Sequence, residues 1–208
     1  MKNKILITTA IDYANDVIHI GHAYQKVLAD ALARFFRLSG KEVFFLTGTD
    51  EHGANIERVA AEKKQPVKSY VDFVSEEDKK QLVALNVVYD RFIRTTDDDH
   101  KQVVAEFWGK VNTKGDIYSK HFEGLYCLSC EAFKSGDEIA NGRCAVHQTK
   151  DLVPHREENY FFKWSNYQKF LEKFFKKNPR FVLPENRYNE MLNFLKNGVE
   201  DISISAKR

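Results

Sequence analysis

The first half of the chain alternates short apolar runs with longer amphipathic segments, and this alternation constrains the fold more than any other feature. Runs rich in Ile, Val, Leu or Phe at 4–9, 42–47 and 90–95 are typical of buried strands. The intervening stretches repeat apolar residues at helical spacing, at 22–38, 54–63, 67–85 and after Asp97. Repeated strand–helix units predict an α/β fold built on a doubly wound parallel sheet.

The alternation stops at Gly115. Residues 115–164 hold all three cysteines, scattered glycines and short β-like runs, and helical spacing resumes at 165–177 and 184–196. We therefore predict three parts: a strand–helix part at 1–114, a small insertion at 115–164, and a helical remainder at 165–208. A sheet of three parallel strands would leave one edge and part of one face uncovered.

The cysteines of the insertion form a metal-binding pattern. Cys127-x-x-Cys130 and Cys144-x-x-His147 are separated by thirteen residues, so two tight turns bring four ligands together. Four protein ligands close a tetrahedral zinc site and favour a structural role; free core cysteines are the alternative. Clustered thiols argue against secreted disulfides and indicate a reducing, cytoplasmic setting.

Charge and hydropathy exclude few classes of partner. The formal net charge is +2, which neither requires nor rules out a nucleic acid partner, since local patches decide such binding. No apolar run approaches the roughly 18 residues of a membrane span, so we expect no membrane partner.

A candidate phosphate-binding turn follows the first strand. His19 and His22 flank Gly21 at the predicted start of a helix, where unpaired N–H groups and the helix dipole favour an anion. Two histidines three residues apart can face the same side and donate hydrogen bonds to phosphate oxygens. The alternative is a pair of surface histidines that happen to flank a helix start.

A candidate binding acid closes the second strand. Asp50 lies at the carboxyl edge of the predicted sheet, where open α/β sheets bind ligands, and a carboxylate there can hold a cationic amine. The alternative is a turn aspartate that caps the helix beginning near His52.

Together these motifs resemble methionyl-tRNA synthetases, a branch of the class I aminoacyl-tRNA synthetases. The matching segments, quoted in chain order, are Thr-Thr-Ala-Ile-Asp-Tyr-Ala-Asn at 8–15, His-Ile-Gly-His-Ala-Tyr at 19–24, Phe-Phe-Leu-Thr-Gly-Thr-Asp-Glu-His-Gly at 44–53, Tyr-Asp-Arg-Phe-Ile-Arg-Thr-Thr at 89–96, Leu-Pro-Glu-Asn-Arg at 183–187 and Gly-Val-Glu-Asp-Ile-Ser-Ile-Ser at 198–205. The resemblance covers nearly the whole chain in the expected order. It implies the first half of a Rossmann-type catalytic domain with an inserted, zinc-binding connective domain.

The resemblance also implies an activity, ATP-dependent ligation of methionine to its tRNA through methionyl-adenylate. By this resemblance ATP, with magnesium as part of the substrate, would bind at Asn15, His19, Gly21 and His22, and both histidines would be catalytic. Methionine would bind at Ala10, Ile11, Tyr13 and Asp50. The zinc knuckle would lie over the active site and meet the tRNA acceptor end, as in the single-zinc branch of the family.

The sequence departs from the family in three respects. It has no K-M-S-K-S segment, Ala206 stands where relatives usually carry arginine, and Asp12 stands where they commonly have proline or an aromatic residue. We therefore expect weak or no activity from this chain alone, whether it is a fragment, one subunit of a split enzyme completed by another chain, or a degenerate paralogue. A catalytically silent, zinc-containing tRNA-binding module and a class I synthetase for cysteine or leucine are the competing hypotheses.

Overall fold

The computed structural model describes residues 3–127, 129–130, 132–134, 136–148 and 151–205. The described chain forms two compact units, the first of Met1–Val104 with Leu128–Glu131 and the second of Ala105–Cys127 with Ala132–Arg208. The units divide inside a helix, and the predicted boundaries at 114 and 164 remain predictions. Among the described residues, no helix is both long and apolar enough to cross a membrane.

The first unit is a parallel α/β arrangement, as the strand–helix alternation predicted. Its elements, in chain order, are β1 (Lys4–Thr8), β2 (Asp12–Tyr13), α1 (Ile20–Leu38), β3 (Glu42–Asp50), α2 (Ala54–Glu62), α3 (Val67–Ala84) and β4 (Arg91–Arg94), followed by the first part of α4 (Asp98–Thr113), which continues into the second unit. The prediction missed β2, whereas Asp50 ends β3 as predicted.

Strand β3 is the centre of the parallel sheet. Leu46 pairs with Thr8 of β1 and also with Arg91 of β4, so these two strands flank β3 on opposite edges. Thr49 pairs likewise with Asp12 of β2 and Arg94 of β4. Strands β1 and β2 therefore follow one another along the same edge of β3, and the carboxyl end of β3 lies between β2 and β4.

Two apolar clusters fix the helices against this sheet. Phe45 of β3 packs with Ala33 of α1 and Leu82 of α3, and all three are fully buried. A second cluster joins Ala14, after β2, to Ile56 of α2 and to the buried face of α3. The clusters hold α1, α2 and α3 close to the two loops that follow β2 and β3.

Other apolar faces of the first unit are open in this chain. Leu6 of β1 and Phe35 of α1 are 67% and 60% exposed, in line with the expectation of an incompletely covered sheet. In α4, which the division between the units cuts after Val104, no residue is buried, and Phe107 of the second unit is 68% exposed. Helical periodicity located α4 correctly but did not show how little of its apolar face is covered.

The second unit is built on an antiparallel sheet in the order β10–β9–β5–β6. Its elements are β5 (Ile117–Cys127), β6 (Ala132–Lys134), β7 (Ile139–Ala140), β8 (Arg143–Cys144), β9 (Val153–Phe162), α5 (Gln168–Lys177), α6 (Glu185–Lys196) and β10 (Ile202–Ser203). The sequence indicated only short β-like runs here. Strands β5 and β9 instead pair over ten positions. The sequence did not predict strands of this length, because their residues give little apolar signal.

Candidate functional site

The His19–His22 turn forms the amino-terminal cap of α1. The N–H of Gly21 donates to Nδ1 of His19 at 3.0 Å, and the N–H of His19 donates to Nδ1 of His22 at 3.3 Å. The two rings stack with their centroids 3.9 Å apart. An Nδ1 atom that accepts a hydrogen bond carries no proton, so each neutral ring holds its proton on Nε2. Each histidine can therefore donate Nε2–H to an oxygen placed beyond the helix terminus.

Gly21 lies in close contact with the first of these rings. A Cβ built on Gly21 would come within 2.9 Å of Cε1 of His19, which is closer than a side-chain carbon tolerates. The glycine is thus needed for the position of the His19 ring over the first turn of α1.

Asp50 ends β3 and lines a polar cavity of about 400 Å³. The cavity is bounded by Tyr13, Asn15, Asp50, His52, Asn55, Ser129 and Cys130. It brings together three residues predicted to bind methionine or ATP, Tyr13, Asn15 and Asp50, with one predicted zinc ligand, Cys130, whereas the other predicted site residues are not among its lining. Asp50 accepts a hydrogen bond from the N–H of His52 at 3.4 Å, while Gly53 begins α2 without a side-chain cap. His52 and Asn55 were not predicted, although both directly follow the strand-end acid in the sequence.

Ala10 and Ile11 lie in the link between β1 and β2, and both are exposed. This link is held by a buried ion pair beneath it. Nζ of Lys26, on α1, lies 2.6 Å from Oδ2 of Asp12 and 3.4 Å from the carbonyl oxygen of Ala10, and both charged side chains are buried. The departure at Asp12 is therefore matched by a buried cation that also fixes the backbone of the neighbouring segment. Ala206, the other substituted position, lies outside the described residues.

Glu51 is the centre of a buried polar network that the sequence did not reveal. Its carboxylate accepts hydrogen bonds from Nε and Nη2 of Arg94 at 2.6 and 3.0 Å, from the Ser75 hydroxyl at 2.5 Å, from the Thr49 hydroxyl at 2.8 Å and from the Thr96 hydroxyl. Burial alone would raise the pKa of Glu51, but these donors outweigh it and hold the pKa below its usual value. The network fixes the residue next to Asp50 to both α3 and the end of β4.

The four predicted metal ligands lie together. The ligand atoms of Cys127, Cys130, Cys144 and His147 are all within 4.8 Å of one another. Sγ of Cys127 and of Cys144 lie 3.8 and 3.9 Å from Nδ1 of His147. A tetrahedral zinc ion, with bonds of about 2.3 Å to sulfur and about 2.1 Å to nitrogen, needs ligand atoms roughly 3.5–3.8 Å apart. The donor set and its spacing therefore fit zinc.

Comparison with known proteins agrees with this geometry. The family profile described as "tRNA synthetases class I (M)" matches residues 5–140 and 134–208. The chain is 45% identical to methionine–tRNA ligases of Caldanaerobacter subterraneus subsp. tengcongensis and of a Nostoc species, covering 99% and 96% of this chain but 32% and 38% of those proteins.

Among solved structures, Mycobacterium tuberculosis methionyl-tRNA synthetase in complex with methionyl-adenylate matches with a TM-score of 0.91 and 38% identity. The match covers 98% of this chain and 41% of that one, so the chain spans less than half the length of the proteins it resembles. The profile covers most of the chain, and the resemblance carried by its motifs is confirmed: the chain belongs to the class I tRNA synthetases (M), the family of the methionyl-tRNA synthetases.

Proposed function

We propose that this chain carries the amino-acid-activating site of a methionine–tRNA ligase. In that reaction a carboxylate oxygen of methionine attacks the α-phosphorus of ATP and pyrophosphate leaves, giving methionyl-adenylate. A terminal ribose hydroxyl of the tRNA then takes the methionyl group and releases AMP. The observation that carries the proposal is the polar cavity that joins Asp50 to Tyr13 and Asn15, in a fold that matches an adenylate-bound synthetase along nearly the whole chain.

The capped histidines suit the triphosphate of ATP. Both Nε2–H groups of His19 and His22 are available beyond a helix amino terminus, where the helix dipole already favours negative charge. Donors placed in advance stabilise charge that moves onto the leaving pyrophosphate. Magnesium would balance the remaining charge of the triphosphate.

Asp50 suits the amino group of methionine. Its carboxylate is half-buried at the carboxyl end of the central strand and lines the polar cavity. A charge-assisted hydrogen bond to an ammonium group contributes about 1.5–3 kcal/mol. Tyr13 lines the same cavity and would contact methionine there. Ala10 and Ile11 lie outside that lining; by the family resemblance they would supply the apolar part of the methionine site, on the segment that Lys26 fixes through Ala10 and Asp12.

A single zinc ion would hold the knuckle at the end of the β5–β9 hairpin. Cys127 is the last residue of β5 and Cys144 the last of β8, so the metal would join two separate strands. Because free cysteines are typical of a reducing compartment, we propose a cytoplasmic location. A tRNA would be the third ligand, after methionine and ATP.

One feature is equally compatible with a second candidate function. The zinc-ligand cluster of Cys127, Cys130, Cys144 and His147 would serve equally in a catalytically silent, zinc-containing tRNA-binding module or in one part of a split synthetase. Methionine-dependent exchange of pyrophosphate into ATP separates these functions. We expect weak or no exchange by the chain alone, and strong exchange would show that a K-M-S-K-S segment is dispensable.

Binding of the amino acid tests the proposed site without requiring turnover. We expect the chain to bind methionine in preference to leucine or cysteine, and Asp50→Asn to weaken that binding about 10- to 100-fold, from the energy of one charge-assisted contact. Asp16→Asn is a matched control, because Asp16 is an exposed acid in the neighbouring turn. Equal binding by the Asp50 variant, or a preference for leucine or cysteine, would refute the assignment.

A further inference from the structure

Helix α3 carries polar side chains on the face that it buries. Tyr70, Ser75 and Asp78 are each at most 2% exposed and lie among Val71, Val74 and Leu82. A buried polar group is costly unless it is hydrogen-bonded, so the partners of these three side chains indicate what the face does. All three partners belong to the loops that form the candidate site.

Asp78 holds the residue that precedes the histidine cap. Its Oδ1 accepts the N–H of Ile18 at 3.0 Å in a buried contact. The side chain of Ile18 packs in the cluster of Phe45 and Leu82, so Ile18 is held through both its backbone and its side chain. The backbone of the next residue, His19, donates to the ring of His22. The bond from Asp78 therefore fixes the point at which α1 and its cap begin.

Tyr70 holds the other end of the same turn. Its hydroxyl donates to the carbonyl oxygen of Asn15 at 2.8 Å, and its ring packs beside Ala14. Tyr70 and Asp78 are eight residues apart, about 12 Å along the helix axis, whereas their partners are only three residues apart. One rigid helix thus holds both ends of the turn 15–18. The hydroxyl of Ser75 lies between them on α3 and donates to Glu51, next to Asp50.

We propose that Tyr70 and Asp78 are positioning residues, which hold the turn 15–18 so that the Nε2–H groups of His19 and His22 point to a common anion. This proposal rests on the proposed function for the identity of the anion, the triphosphate of ATP. Neither side chain touches the ligand itself. The hydrogen bonds from α3 set the direction of the cap, and the cap sets the direction of the imidazole rings.

The charge on Asp78 is not what the proposed role requires. Its Oδ2 has no hydrogen-bond partner among the described residues. Burial raises the pKa of Asp78 to about 6; the N–H of Ile18 and Lys26 lower it, and the Asp12 and Asp16 carboxylates raise it. Because the folded pKa lies above the ordinary value of 3.8, ionisation destabilises the fold, and stability falls as the pH rises from about 4 to about 6. An asparagine keeps an acceptor oxygen for Ile18 without this cost.

Paired variants separate positioning from stability. In the ¹⁵N-labelled 208-residue chain we expect Asp78→Asn to melt at an equal or higher temperature than the original chain at pH 7.5. Its Ile18 amide exchange and its His19 and His22 imidazole shifts should be retained. We expect Asp78→Ala to accelerate exchange at Ile18 at least tenfold and to shift both imidazoles. Glu76→Gln, at an exposed position of the same helix, is the control and should change neither signal.

Tyr70→Phe gives an independent test, because it keeps the buried ring and removes only the hydroxyl. We expect it to shift the Asp16 amide, which follows the Asn15 carbonyl, and to reduce the response of the imidazole signals to magnesium–ATP. A folded Asp78→Ala chain with unchanged Ile18 and imidazole signals would overturn the proposal. If Asp78→Ala does not fold, two other results would overturn the proposal: loss of the Ile18 amide protection in Asp78→Asn, or unchanged signals in Tyr70→Phe. If the original chain ignores ATP while the exchange results hold, the proposed function fails and the positioning role stands.

Discussion

Replacing Glu51 with glutamine should destabilise the first unit far more than its single-atom change implies. The Glu51 side chain is fully buried and receives five hydrogen bonds, two of them from Arg94. Glutamine keeps one acceptor oxygen and turns an N–H₂ group toward a guanidinium N–H of Arg94, which cannot accept from it, although the neighbouring hydroxyls can. Removing one partner of a buried ion pair costs about 3–5 kcal/mol, a large share of the roughly 5–15 kcal/mol that stabilises a domain. For a chain of this size that loss corresponds to a fall in Tm of about 6–20 °C.

A neighbouring acid provides the matched control. Asp72 accepts from the same Arg94 at 2.6 Å, but its side chain is 39% exposed and is shared with Lys68. Exposed pairs contribute about 1 kcal/mol or less, so Asp72→Asn should change stability little. Urea unfolding measures both variants, with an unchanged slope as the condition for comparing them. Equal losses for the two variants, or a loss under 1 kcal/mol for Glu51→Gln, would refute the assignment of Glu51 as the centre of the network.

The pH dependence of stability gives the same prediction a second measurement. The folded pKa of Glu51 lies below its usual value of 4.5, so its stabilising contribution is present above that value and is lost as the pH falls through the folded pKa. The original chain should therefore lose its advantage over Glu51→Gln on acidification below about pH 4.5.

Three further changes test other parts of the structure. Gly48→Ala would place a Cβ 1.9 Å from the carbonyl oxygen of Ile93, so β3 and β4 must separate, and we expect a loss above about 4 kcal/mol or an insoluble chain, measured by circular dichroism or by yield. The Cβ added by Gly21→Ala would contact only the movable ring of His19. Because alanine is favoured over glycine in a helix by up to about 1 kcal/mol, we expect an unchanged free energy of unfolding and a changed His19 imidazole shift. Cys144→Ser should lower bound zinc from one ion per chain to none by elemental analysis, and should accelerate amide exchange in β8.

Local signals in the sequence located most of the helices and the parallel strands. The stop at Ser39-Gly40 and the helical spacing before it predicted 22–38, and α1 ends at Leu38 as expected. Strand β2 escaped prediction because two residues carry no periodicity, and they are strand only by pairing with Thr49 and Asp50. The hairpin of β5 and β9 escaped because cross-strand pairing, rather than an apolar face, defines it.

The site was predictable where its residues are close in the sequence. Cys127, Cys130, Cys144 and His147 are recognisable by spacing alone, and the structure brings their ligand atoms together. The partners of Glu51 lie at sequence separations of up to 45 residues, which no local pattern encodes. A weaker signal was available on α3, because Asp78 follows Tyr70 and Val74 at four-residue intervals on the apolar stripe, where an acid is unexpected.

The register around Phe162 brings the two ends of the antiparallel sheet in the second unit close together. Ile117 of β5 and Ile202 of β10 both pair with Phe162, one on each side of β9. Two inter-strand spacings of about 4.8 Å therefore separate the point where the chain enters this sheet from the point where it last pairs within it. A gap of about 10 Å is within the reach of three or four extended residues. We therefore expect that a short linker, or a different module, can replace residues 118–201 without displacing residues 117 and 202.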